Sequence, residues 1–212
     1  ILLTLFAVIV VAGGLLTMGL PPAHAERAID FPGGLTWFNV ARPLTLPELK
    51  GRAVLLDFFT PGCINCIHML PDEKKLEEHF GTRLVVIGID SPKFSASKTK
   101  DGLESFIERY DLRHPIVLDP DMQMCKADCC QAVSTRVRLG PDGNVQKTFI
   151  GEQSYEQLAG PVQAALANAP PASKLPRLPP AALKRTPNCL FLPKRAPAST
   201  EPMASPYWSM VV

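Results

Sequence analysis

The stretch Ala53-Val-Leu-Leu-Asp57-Phe-Phe-Thr60-Pro-Gly-Cys63-Ile-Asn-Cys66 decides how the chain folds. Residues 53–60 form an apolar run of strand length, interrupted by Asp57 and closed by Thr60, as expected of a strand buried on both faces. The run leads straight into Pro61-Gly62 and a Cys-x-x-Cys. After Cys66, the apolar residues Ile67, Leu70, Leu76 and Phe80 recur at mostly helical spacing. Asp72, Glu73, Lys74, Lys75, Glu77 and Glu78 take the remaining faces. This pattern predicts an amphipathic helix, kinked where Pro71 interrupts it.

Two cysteines at a strand-to-helix junction have a chemistry of their own. The first lies at the helix N-terminus, where unpaired backbone N–H groups and the helix dipole favour a thiolate, the attacking nucleophile. The second, one turn on, is placed to close an intramolecular disulfide and release a mixed-disulfide partner. The competing reading is half of a zinc site completed by His68 or by Cys125, Cys129 and Cys130. No second Cys-x-x-Cys exists in the sequence, so redox chemistry fits better and neither metal nor cofactor is expected. A carboxylate in mid-strand is costly to bury unless neutral or paired, which makes Asp57 a candidate functional acid; a solvated strand edge is the alternative. His68 reads first as a solvated helix-surface histidine and second as a group that tunes the thiols.

Outward from this unit, residues 34–40 read as an extended segment and residues 43–51 as a short amphipathic turn stopped by Gly51. Residues 83–90 form a second buried strand, 102–110 a helix and 114–118 a short strand. Residues 133–139 and 144–150 flank Gly140-Pro-Asp-Gly143, a hairpin turn, and 155–168 close the body as a helix interrupted by Gly160-Pro161. The order predicts an α/β fold with a central mixed sheet.

Composition divides the chain in three. Residues 1–25 carry no Asp, Glu, Lys or Arg; residues 26–169 carry 19 acidic and 16 basic side chains; residues 170–212 carry ten of the 22 prolines, six basic residues and one acidic residue. The formal net charge of +2 is too balanced for a nucleic-acid binder working through a dominant basic field. Residues 1–20 are nearly unbroken hydrocarbon, long enough to span a bilayer, and Ala23-His-Ala25 supplies a small-x-small cleavage pattern. A signal peptide or a membrane anchor is expected at 1–25, a folded domain at 26–169 and an extended basic Pro-rich linker at 170–212. Either form of the leader places the domain outside the cytoplasm, periplasmic or membrane-anchored, where thiols meet an oxidising environment.

Asp57-Phe-Phe-Thr-Pro-Gly-Cys63-Ile-Asn-Cys66, with Pro71 five residues on, resembles thioredoxin. The segment from Leu44 to Phe59 is similar to the exported TlpA/ResA-like branch. Cys63-Ile-Asn-Cys66-x-His68, with Ser91-Pro-Lys-Phe94 and His114-Pro115, most resembles the thioredoxin domain that precedes NHL-repeat propellers. The resemblance covers about residues 35–165. It implies a thioredoxin-like three-layer sandwich and thiol–disulfide exchange with protein thiols and a thiol electron donor. In it Cys63 is the nucleophile, Cys66 the resolving thiol, and Asp57 the acid that moves a proton to or from Cys66. In such folds a cis-proline faces the disulfide, and substrates lie along its loop. Ser134 occupies that place here, beside Thr135, so a trans peptide is expected. The strand after it would set Arg136 and Arg138 on a covered surface. Cys125, Cys129 and Cys130 leave a second disulfide, a thiol or metal cluster, and a drifted segment all open, and Cys189 stands alone in the linker. A redox-inactive binding or scaffold module of a larger NHL-repeat protein is the alternative function, and a peroxidase sharing the fold ranks third.

Overall fold

The computed structural model describes residues 27–92, 99–127, 133–167, 169–172 and 178. The expected leader, most of the linker, and Cys129, Cys130 and Cys189 lie outside the described residues.

In chain order the elements are β1 (Thr36–Phe38), a 3-10 turn (Leu46–Leu49), β2 (Ala53–Phe59) and α1 (Ile64–Phe80). A second 3-10 turn (Gly81–Arg83) leads to β3 (Leu84–Asp90), α2 (Lys100–Tyr110), β4 (Ile116–Leu118) and α3 (Gln123–Ala127). The hairpin strands β5 (Thr135–Leu139) and β6 (Val145–Ile150) and α4 (Tyr155–Ala165) complete it. Among the described residues the strands form one sheet in the order β1-β4-β3-β2-β5-β6. β2 pairs parallel with β3 and antiparallel with β5, and β3 pairs parallel with β4, so the sheet is mixed, as its sequence order predicts.

Every residue of β2 and β3 is buried, which accounts for their unbroken apolar runs. Alternate β2 residues serve opposite faces. Ala53 and Leu55 pack with Met69, Leu76 and Phe80 of α1 and with Leu158 and Val162 of α4. Val54, Leu56 and Phe58 pack on the other side with Leu46, Leu49 and Met124. Phe59, Ile116 and Leu118 pack with Leu103 and Phe106 of α2 and with Cys66. Burial of each large apolar side chain stabilises the fold by about 1.5–3 kcal/mol.

The structure departs from the sequence reading at element ends. β5 begins at Thr135, β4 at Ile116, and α4 runs only to Ala165, with Gly160 and Pro161 inside it. The five-residue α3 is too short to show a periodicity. It is set instead by Asp119, whose carboxylate accepts from the backbone N–H groups of Gln123 (2.8 Å) and Met124 (3.0 Å).

Candidate active site

Thr60-Pro61-Gly62-Cys63 forms a tight turn closed by a hydrogen bond from Cys63 N–H to Thr60 O (3.1 Å). Proline at its second position and Gly62 at φ +87° at its third are the residues that a type II turn requires. The turn carries the chain from the end of β2 to the start of α1 and leaves Cys63 as the residue capping that helix. Ile67 N–H donates to Cys63 O (3.1 Å). Cys63 is half-buried and Cys66 buried, both as thiols. Burial, a hydrogen bond with Cys63 and the charge of Asp57, in that order, push the Cys66 thiol up to about 12.

Behind Cys66 lies a cluster of buried charges. Asp57 is on the β2 face that α1 covers, directly opposite Arg136 in the antiparallel register with β5. Arg136 is fully buried and meets three parts of the site. Its Nε donates to Glu73 Oε1 (2.6 Å) on α1, and its Nη2 lies 3.3 Å from Asp57 Oδ1. Its Nη1 donates to Ser134 Oγ (2.7 Å) and to the Gly151 carbonyl (3.3 Å). Burial raises the carboxyl of Asp57, and the charges of Arg136 and His114 pull against that rise. Burial and then Asp57 push Glu73 up to about 7, against the pull of Arg136. Two buried acids thus face one guanidinium, and for each of them burial outweighs its pull and favours the protonated form.

His114 extends the cluster outward. Gly88 is Asp57's partner in the register with β3, and a Cβ built there would stand 3.4 Å from His114 Nε2. The other ring nitrogen, Nδ1, meets Glu77 Oε2 at 3.4 Å. Burial lowers the His114 imidazole, but Glu77, Glu73 and Asp57 outweigh it and raise its affinity for a proton. His114 and Glu77 also line a cavity of about 370 Å³ with Asn39 and Val86.

The other residues singled out in the sequence fall as follows. Ser134 and Thr135 are buried at the end of β5 that lies beside the end of β2. The Val133–Ser134 peptide is cis, which corrects the expected trans form. The trans preference is a local property of the amide, whereas Ser134 is held by tertiary contacts. Its carbonyl accepts from Gly151 N–H (2.9 Å) and its hydroxyl from Arg136. His68 is exposed and pairs with Glu152 (3.0 Å), away from the buried cluster. Glu73, expected on a polar helix face, is instead buried, because Arg136 gives it a partner there. Arg136 and Arg138 do occupy a covered surface; Arg138 donates to the Pro161 carbonyl of α4. Cys125 is buried beside Met124. Among the described residues no group of three His, Cys, Asp or Glu is disposed to hold a metal ion, and no helix is long and apolar enough to cross a membrane. Sequence reasoning missed Glu73 and His114; the signal for Glu73 was the arginine that had no apolar reason to sit in β5.

The mixed sheet, its flanking helices and a Cys-x-x-Cys at the β2–α1 junction make this a thioredoxin-like fold. A solved thioredoxin-like superfamily protein superposes with a TM-score of 0.64 at 22% identity, over 69% of this chain and all of that one. Among sequence relatives, human NHL repeat-containing protein 2 is 40% identical over 132 residues, 61% of this chain and 18% of that protein. The thiol-disulfide oxidoreductase ResA of Bacillus cereus is 27% identical over 122 residues, 58% of this chain and 68% of that protein. The chain thus spans less than a fifth of the NHL-repeat relatives it matches. No family profile matches the chain.

Proposed function

We propose that this chain is an exported thiol–disulfide oxidoreductase acting on protein thiols through Cys63 and Cys66. The observation that carries the reading is the arrangement of the two thiols. One caps a helix at the half-exposed end of the site, and the other is buried one turn behind it within the field of Asp57.

The exchange runs in two balanced steps. Cys63 thiolate attacks one sulfur of a client disulfide, forms the Cys63–client bond and expels the other client sulfur as a thiolate, which takes a proton from water. Cys66 then yields its proton to the Asp57 carboxylate, and its sulfur attacks Cys63 Sγ. The intramolecular disulfide forms and the second client sulfur leaves as a thiolate, which takes up the proton held by Asp57. Two electrons pass from the dithiol to the client, and a dithiol donor restores the pair; every step is reversible. The Ser134–Thr135 end of β5 forms the wall along which the client lies, and His68 sits at the outer rim. The domain occupies residues 26–169, delivered by the leader at 1–25 and followed by the linker at 170–212.

The test is reduction of insulin disulfides by the full chain. Cys63→Ser abolishes it, and Cys66→Ser accumulates mixed disulfides through Cys63. Wild-type activity in both variants would overturn the proposal. The NHL-repeat relatives favour a second reading, in which the domain is a redox-silent head of a larger protein. Under that reading the Cys63–Cys66 pair stays locked in a thiol buffer instead of exchanging.

A further inference from the structure

We infer that Arg136 is a positioning residue for the resolving step, joining the Ser134 loop, the acid that serves Cys66 and the helix that carries both thiols. This rests on the exchange reaction proposed above. A buried guanidinium has strict needs. It carries five N–H donors and cannot shed its charge, so each donor needs an acceptor and the whole needs an anion. Nε and Nη1 donate hydrogen bonds, while Nη2 makes no hydrogen bond and faces Asp57 as an ion pair, so each nitrogen is turned toward a different part of the site. Nε goes to Glu73 on α1, Nη2 to Asp57 on β2, and Nη1 to Ser134 Oγ and Gly151 O beside the client wall.

A side chain tied at three points holds those parts in one geometry. Ser134 belongs to that set: its hydroxyl is an acceptor, which a proline ring at the same place would not provide. The charge acts as well. Arg136 is the one arginine or lysine that contacts Asp57 and Glu73 among the described residues, and it also lies within the field of Cys66. The groups facing Asp57 are Cys66 and Glu73 from α1, Arg136 from β5, and His114 from the segment before β4, with Glu77 behind His114. Removing the guanidinium leaves two buried acids with only the imidazole to offset them. Both then hold protons more tightly, so less Asp57 carboxylate is present to accept the Cys66 proton at neutral pH.

The test separates the two steps in the full chain. A Cys63 mixed disulfide with a small aromatic thiol is preformed, and release of that thiol by Cys66 is followed against pH. The Arg136→Met variant is expected to form the mixed disulfide but to resolve it at least tenfold more slowly at pH 7, with the pH profile displaced upward. Arg136→Lys, which keeps the charge, is expected to recover part of the rate. Should Arg136→Met fail to fold, the Arg136→Met/Glu73→Leu pair removes both buried charges together and is expected to show the same slow resolution. Resolution at the unaltered rate in the folded variant overturns the inference. Unfolding of both variants overturns it too, since the guanidinium would then be purely architectural. If the unaltered chain forms no mixed disulfide at all, the exchange reaction itself fails, whatever Arg136 does.

Discussion

Asp57 and Arg136 are direct cross-strand partners: the register that joins β2 to β5 sets them opposite each other, with Oδ1 and Nη2 3.3 Å apart. An acid inside an apolar strand therefore carries its counter-cation on the neighbouring strand, on the face that α1 seals from water. Replacing Asp57 by Asn keeps the shape and removes the proton acceptor. The resolving step is expected to slow by about a hundredfold, the low end for a positioned general base. Rapid-quench trapping of the Cys63 mixed disulfide checks this, and an unchanged lifetime would remove Asp57 from the reaction.

The Ser134 hydroxyl is an acceptor for Arg136 Nη1, which otherwise has only the more distant Gly151 carbonyl. Ser134→Ala leaves a buried donor short of a partner, at a cost of about 1–3 kcal/mol. Chemical denaturation should report a lower midpoint with an unchanged slope.

Gly88 has no side chain where His114 approaches Asp57. A Cβ would stand 3.0 Å from Phe59 Cε1 and 3.1 Å from Ile116 Cγ1, both in side chains with almost no exposure. Neither neighbour has free space to retreat into, so Gly88→Ala is expected to destabilise the domain by about 1–3 kcal/mol. Thermal unfolding measures it, and a higher midpoint would show that the neighbours yield.

Asp90 ends β3 fully buried, and neither carboxylate oxygen has a hydrogen-bond partner among the described residues. Burial first, and Asp119 second, push its carboxyl up from 3.8 to about 8. The folded state then binds this proton more tightly than the unfolded state. Stability from this group is lost as pH rises from about 4 to about 8, by up to roughly 1.4 kcal/mol per pH unit. Asp90→Asn should flatten that slope and raise the melting temperature more at pH 8 than at pH 5. An equal gain at both pH values would contradict it.

The β2–α1 unit was legible because burial on two faces, a Pro-Gly break and helical spacing all fall within residues 53–80. The hairpin was legible from Gly140-Pro-Asp-Gly143. The partnership of Glu73 with Arg136 was not. The two are 63 positions apart, and a glutamate on a charged helix looks solvated until the strand beneath it is known to carry an arginine. The peptide geometry at Ser134 was hidden for a similar reason: the contacts that hold Ser134 come from Gly151 and from a side chain two residues away. The trans form expected from local preference does not hold at this peptide.

Pro61 and Gly62 fix the backbone torsions that deliver Cys63 to the helix end, so under the exchange proposed above the backbone carrying this thiol needs no rearrangement when a client arrives. Little conformational freedom is left to surrender at the moment of encounter. On that proposal the same preset turn serves clients of quite different shape.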